Sequence, residues 1–147
     1  MGDKSAIEWT DATWNPIRGC SRVSEGCRNC YAERIAARFS GPGQPYEGLA
    51  KVGRATMTDG QRTHVTSFRW TGEVRFIEKA LTLPLRWKAP RRIFVNSMSD
   101  LFHEKVPDDW IAQMFAVMLM APRHTFQVLT KRPERMTALL NKPGFEP

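Results

Sequence analysis

Three cysteines, Cys20, Cys27 and Cys30, are all the thiols of this 147-residue chain, with six residues between the first two and two between the last two. At a spacing of three, Cys27 and Cys30 share one side of a first helical turn. The six-residue stretch gives Cys20 ample reach to fold back onto them. A helix N-terminus stabilises thiolates, and Arg28 and Arg34 add positive charge beside them. Thiolates are soft metal ligands, so the cluster reads as a metal site. A closed structural zinc site wants a fourth Cys or His, and His64, His103 and His124 stand far off in sequence. An iron–sulfur cluster of four irons can be held by three thiolates, leaving one iron open, as catalytic zinc keeps an open position. Spacing therefore favours iron–sulfur, with zinc as the alternative and three small buried side chains as the ordinary structural reading.

A second group of polar residues follows two apolar stretches. Asn96-Ser97-Met98-Ser99-Asp100 comes after Arg92-Ile93-Phe94-Val95, and Thr130-Lys131-Arg132 comes after Thr125-Phe126-Gln127-Val128-Leu129. If both stretches are parallel strands, their polar ends meet at one edge, where α/β proteins bind ligands. The ordinary reading is that Ser, Asp and Thr cap turns and helices there.

The elements that must hold these groups can be read in outline. Tyr31, Ile35 and Phe39 recur at intervals of four and predict a helix with that apolar face, stopped by Gly41-Pro42-Gly43. Ile7-Glu8-Trp9-Thr10 reads as a short strand and Trp14-Asn15-Pro16 as a turn. Residues 40–63 read as one long loop, and Phe68 to Phe76, broken at Thr71-Gly72, as a hairpin or two strand fragments. In the second half, the strand Arg92–Asn96 precedes a helix opened by Pro107, with Asp108 and Asp109 complementing its dipole. That helix runs through Ile111, Met114, Phe115 and Met118 to Pro122. It is apolar nearly all round, which predicts deep burial. Pro133 then opens a helix carrying Met136, Leu139 and Leu140 after the strand Thr125–Leu129. Strand, helix, strand, helix implies a parallel pair with a right-handed crossover, and an α/β fold. Met98, Met114, Met118 and Met120 read as gap-filling core.

The length suits one domain spanning residues 1–147, and 41% hydrophobic with 25% charged residues is ordinary globular composition. The start, MGDKSAIEWTDATW, has no apolar block, and the run Trp110–Met120 is too short to span a bilayer. The expectation is a cytoplasmic protein with no membrane association. A formal net charge of +7 favours a nucleic acid or an acidic protein as partner.

Three segments carry a resemblance over nearly the whole chain: IEWTDATWNPIRGCSRVSEGCRNCYAERIA, RRIFVNSMSDLFHEKVPDDWI and HTFQVLTKRPERM. They closely resemble the phage-associated three-cysteine-motif proteins, a radical-SAM-like family similar at a distance to spore photoproduct lyase. The resemblance implies a partial (β/α) barrel and a [4Fe-4S] cluster on Cys20, Cys27 and Cys30. It implies that the open iron chelates S-adenosylmethionine, whose reductive cleavage yields a 5′-deoxyadenosyl radical, in a phage-associated protein of the bacterial cytoplasm. It places Tyr31 near the adenine. Asn96, Ser97, Ser99, Asp100, Thr130 and Lys131 become the cofactor-binding edge, with Asp100 or Ser99 on the ribose or amino group and Lys131 on a carboxylate or phosphate. Two departures accompany it. The commonest spacing of that motif has three residues between the first two cysteines, where this chain has six. The chain also stops at LLNKPGFEP, before the further strand–helix units of the family. The expectation is thus the N-terminal half of such a fold. Its open sheet edge and apolar helix would be covered by self-association or in a heteromeric complex. The alternatives are a non-catalytic phage-derived protein that binds a host defence complex or nucleic acid, and a zinc-stabilised interaction domain.

Overall fold

A computed structural model describes residues 4–56 and 63–145, with the backbone alone for 54–56 and 63–66. In chain order the elements are β1 (Ala12–Trp14), β2 (Ile17–Arg18), α1 (Tyr31–Arg38), β3 (Ala50–Thr56), β4 (Thr63–Trp70), β5 (Arg75–Phe76), α2 (Glu78–Leu81), α3 (Leu83–Arg86), β6 (Arg92–Val95), α4 (Asp108–Met120), β7 (Thr125–Val128) and α5 (Pro133–Leu140). A 3₁₀ turn, Glu25–Cys27, precedes α1.

The centre is a parallel sheet of three strands in the order β1-β6-β7, so the protein is mixed α/β. Alternation along each strand sorts the side chains onto two faces. Trp14, Val95 and Val128 form one row across the sheet, and Ala12, Ile93 and Phe126 another on the same face. That face packs against Ile111, Met114 and Val117 of α4 and Leu139 of α5, in a core completed by Ile17, Leu101, Phe102 and Val106. The indole of Trp14 is fully buried, and its Nε1 donates to Ala80 O at 2.8 Å, which satisfies its polar atom. The intervening row, Thr13, Phe94 and Gln127, belongs to the opposite face. There Phe94 meets the ring of Trp9 at 4.9 Å.

Two small antiparallel pairs flank this sheet, β2 with β5 and β3 with β4. Of the two readings of Phe68–Phe76, the structure has two strand fragments with different partners: Phe68 lies in β4 opposite Val52, while Phe76 pairs with Ile17. The expected loop over 40–63 contains β3, which pairs with β4 from Ala50 opposite Trp70 to Thr56 opposite Thr63. Its partner is the next strand in the chain, and a stretch rich in Gly, Thr and basic residues carries little alternation to mark it. Residues 57–62 lie outside the described residues. The expected strand Ile7–Thr10 is a turn, closed by Thr10 N donating to Ile7 O at 3.2 Å, and Trp14 belongs to a strand rather than to the turn expected at Trp14–Pro16.

Both expected helices of the second half form, but α4 is buried on one side only. Ile111, Met114 and Val117 are covered, whereas Leu119 and Met120 are 61% and 66% exposed. One sheet face can cover only one stripe of a helix: Trp110, Phe115 and Met118 are half-buried at its border, where Trp110 stacks on Phe76 and Phe115 meets Phe145, and Leu119 and Met120 lie beyond it. The apolar face expected for α1 is likewise the wrong one. Tyr31, Ile35 and Phe39 are exposed, and the helix packs through Ala32, Ala36 and Ala37 against Tyr46, Leu49 and Met98. No helix among the described residues is long and apolar enough to cross a membrane.

Candidate functional site

Parallel strands deliver their carboxyl ends to one edge, and three chain segments meet there. The segment after β6 turns at Asn96, which sits in the left-handed region at φ 54°, a conformation that Asn tolerates better than most residues. Ser99 then forms an isolated parallel bridge with Gly19, beside the first cysteine. Gly19 has φ 96°, and a Cβ on it would lie 2.1 Å from Glu73 O, so only glycine fits. Asn15, just after β1, fastens the loop further. Its Oδ1 accepts from Met98 N and from Ser97 Oγ, each at 3.1 Å, and its Nδ2 donates to Ser97 Oγ at 3.0 Å.

The segment after β7 is tied to the segment after β6 through Asp100. Its Oδ1 accepts from Phe102 N at 3.0 Å and from Thr130 Oγ1 at 2.7 Å. Its Oδ2 accepts from Lys131 N at 2.9 Å and from Arg132 Nη1 at 3.2 Å. Both carboxylate oxygens of this buried residue are thus committed to protein donors. Such a carboxylate is a clamp between strand ends rather than a free contact for a ligand.

The six residues between Cys20 and Cys27 are held at three places. Ser21 Oγ accepts from Arg132 Nη2 at 2.9 Å and donates to Glu104 Oε1 at 3.1 Å. Arg22 forms a bidentate pair with Glu33 of α1, whose Oε1 also accepts from Trp70 N at 2.8 Å. Gly26 O accepts from Lys131 Nζ at 2.6 Å. Arg132 is the centre of this arrangement, and only 8% of it is exposed. Besides Asp100 and Ser21, its Nε donates to Glu104 Oε2 at 2.9 Å, and its Nη1 lies 3.9 Å from Cys20 Sγ.

His103 completes the group. Its ring is fully buried, and its Nδ1 accepts from Lys105 N at 3.1 Å, so in the neutral ring Nε2 carries the proton and donates to Ser21 Oγ at 2.9 Å. Burial, reinforced by the Arg132 cation, holds its pKa below the usual value, which keeps it neutral. An imidazole so oriented cannot take the serine proton, and the pair is not a nucleophile with its base. Both ring nitrogens are occupied, so His103 is no ready fourth metal ligand either.

All three cysteines line one cavity of about 270 Å³, and so do Tyr31, Asn96, Ser97, Ser99, Asp100, Thr130 and Lys131. Trp70, Phe94 and Leu129 supply much of the apolar wall. The thiols are free, and they differ. Burial pushes Cys20 up to about 11, against the pull of Arg132. Burial also works on Cys27, but backbone hydrogen bonds at Val23 and Ser24, the Ser24 hydroxyl and the Lys131 cation outweigh it and hold that thiol below its usual value. Cys30 is the N-cap of α1. Among the described residues no group of three or more His, Cys, Asp or Glu side chains is arranged to hold a metal ion. Tyr31 donates from its hydroxyl to Ser97 O at 3.1 Å, which holds its half-exposed ring at the cavity. Asn96 Oδ1 is buried without a hydrogen-bond partner.

Sequence reasoning named Arg132 only as part of a polar strand end, set His103 aside as too far from the thiols to be a zinc ligand, and passed over Ser21, Arg22, Glu33 and Glu104. Their signal was faint: each is an ordinary polar residue whose partner lies far along the chain or on another element.

The chain matches one family model, described as a protein of unknown function (DUF5131), over residues 4–145. No curated protein and no solved structure matches it.

Proposed function

We propose that this chain, which belongs to the DUF5131 family by that match over residues 4–145, is a radical-SAM-like protein. On this reading Cys20, Cys27 and Cys30 ligate a [4Fe-4S] cluster, and the strand ends beside them bind S-adenosylmethionine. The observation that carries it is the single cavity shared by the three thiols and the carboxyl ends of β6 and β7. The donor set suits the group. Three soft thiols line the cavity together with Lys131 and Arg132, whose charges offset thiolate negative charge. A single ion needs its ligands gathered at one point, whereas a four-iron cluster spreads three thiolates over three irons, which asks for less convergence. The resemblance in the three quoted segments supports the same choice.

When bound, such a cluster supplies the electron that splits the sulfonium of S-adenosylmethionine. The chain's own residues do the rest. Asp100, Arg132 and Ser21 keep the cysteine loop and the two strand ends in fixed relation. Tyr31 presents an aromatic wall for an adenine, with its hydroxyl anchored on Ser97 O. Trp70 and Phe94 make that side of the cavity apolar.

The same reading extends to the fold as a partial (β/α) barrel. Helices α4 and α5 lie on one sheet face, and the row Thr13, Phe94 and Gln127 lies on the other, as the outside and inside of a barrel wall would.

Anaerobic reconstitution with iron and sulfide tests the proposal. The expected product is brown, with matched iron and sulfide, and Cys27→Ala loses both while the core stays folded. Because burial pushes the Cys20 thiol up to about 11, loading must displace its proton, so incorporation rises from mildly acid to mildly alkaline pH. A colourless protein that takes up zinc alone overturns the cluster and leaves a zinc-stabilised interaction domain.

A further inference from the structure

A second concavity, of about 490 Å³, opens beside the cysteine cavity between α1 and β4. Arg22 and Cys30 line both, so the two adjoin. Its walls carry Arg28, Arg34 and Arg69, all exposed. The carboxylate that lines it, Glu33, is buried and already paired with Arg22 and Trp70 N. Arg28 lies 3.7 Å from Glu25, but with both side chains largely in water that pair is weak. Arg69 Nη1 reaches Phe68 O only at 3.5 Å. Three guanidinium groups therefore face one trough with little local neutralisation.

Guanidinium forks match phosphate oxygens in a bidentate way. Past Cys30 the lining keeps cations, Lys131 and Arg132, and gains the rings of Tyr31, Trp70 and Phe94. A basic track leading to an aromatic-lined cavity, with the Tyr31 ring 48% exposed, is the pattern that holds a nucleic-acid strand by its backbone and stacks its bases. An acidic protein would use the charges but has no need of the rings.

We propose that the groove between α1 and β4 is a track for the phosphodiester backbone of a single-stranded nucleic acid, leading its bases to the mouth of the cysteine cavity. Binding in the groove stands on the arginines alone, and the role of the cavity at its end rests on the cofactor reading above.

The test uses the full chain and a fluorescein-labelled oligothymidylate of about 15 nucleotides, near the upper site size of small single-strand binders, read by anisotropy across a salt series. Replacing Arg28, Arg34 and Arg69 together with Gln is expected to weaken binding about tenfold and to lower the log–log salt slope by about two, since each phosphate contact on a single strand contributes about 0.7. These side chains are exposed, so folding is spared, and Lys at the same three positions should restore the slope. An unchanged slope in the Gln variant overturns the proposal, as does a polyglutamate peptide that competes as well as unlabelled oligonucleotide. The two readings fail separately. Cys27→Ala should lose iron and keep oligonucleotide binding. Iron incorporation without oligonucleotide binding removes the groove, and oligonucleotide binding without iron leaves the groove and removes the cluster.

Discussion

At the scale of single residues, the site depends on buried charge that is fully partnered. Asp100 and Arg132 are 6% and 8% exposed and meet at 3.2 Å. Removing one member of a buried pair strands the other, which costs about 3–5 kcal/mol. Asp100→Ala is therefore expected to lower unfolding stability by about 3 kcal/mol, read as a shift in the urea midpoint at unchanged slope. A carboxylate that served only as a ligand contact would leave that midpoint in place. The sequence marks Asp100 as interesting by its position after a strand. Its role depends on Thr130, Lys131 and Arg132, about thirty positions away, and no local pattern reports those partners.

At the scale of elements, α1 shows how periodicity locates a helix and misjudges its face. The helix begins at Tyr31, as its spacing predicts, yet its three large apolar residues face outward. The buried side is built of Ala32, Ala36 and Ala37, with Glu33 buried among them and satisfied by Arg22 and Trp70 N. Small side chains let the helix approach Tyr46, Leu49 and Met98 closely, and a scale that rewards large apolar residues overlooks them. Ala36→Leu should overpack this contact and cost about 1–3 kcal/mol. Ile35→Lys, one position away, should change stability by no more than about 0.5 kcal/mol. Thermal unfolding of the two variants checks the assignment, and the opposite order would return the helix to its apolar face.

At the scale of the whole molecule, the sheet is covered by helices on one face, and apolar side chains remain in water. Leu119 and Met120 at the end of α4, Leu129 after β7 and Leu140 of α5 are each at least 39% exposed. Among the described residues, β7 pairs only with β6, which leaves its other edge free. The sedimentation coefficient is accordingly expected to rise with protein concentration in the micromolar range. Replacing Leu119 and Met120 together with Lys should flatten that rise. A coefficient independent of concentration would mean that this apolar surface is tolerated in water by the single chain.

Much of this architecture was legible in the order of residues. Apolar runs bounded by Pro and by polar strand ends located β6, α4, β7 and α5, because those signals are local: a period, a cap, a residue that cannot continue a helix. The same logic brought the strand ends to one edge, since parallel strands have no other option. Tertiary structure decided what depends on distant partners. It paired β1 with β6, from Ala12 opposite Ile93 to Trp14 opposite Val95. It turned the alanine side of α1 inward, and it made Arg132 the hub of the cysteine loop. Backbone pairing and buried ion networks are satisfied across long sequence separations, so their energy is not written in any window of neighbouring residues.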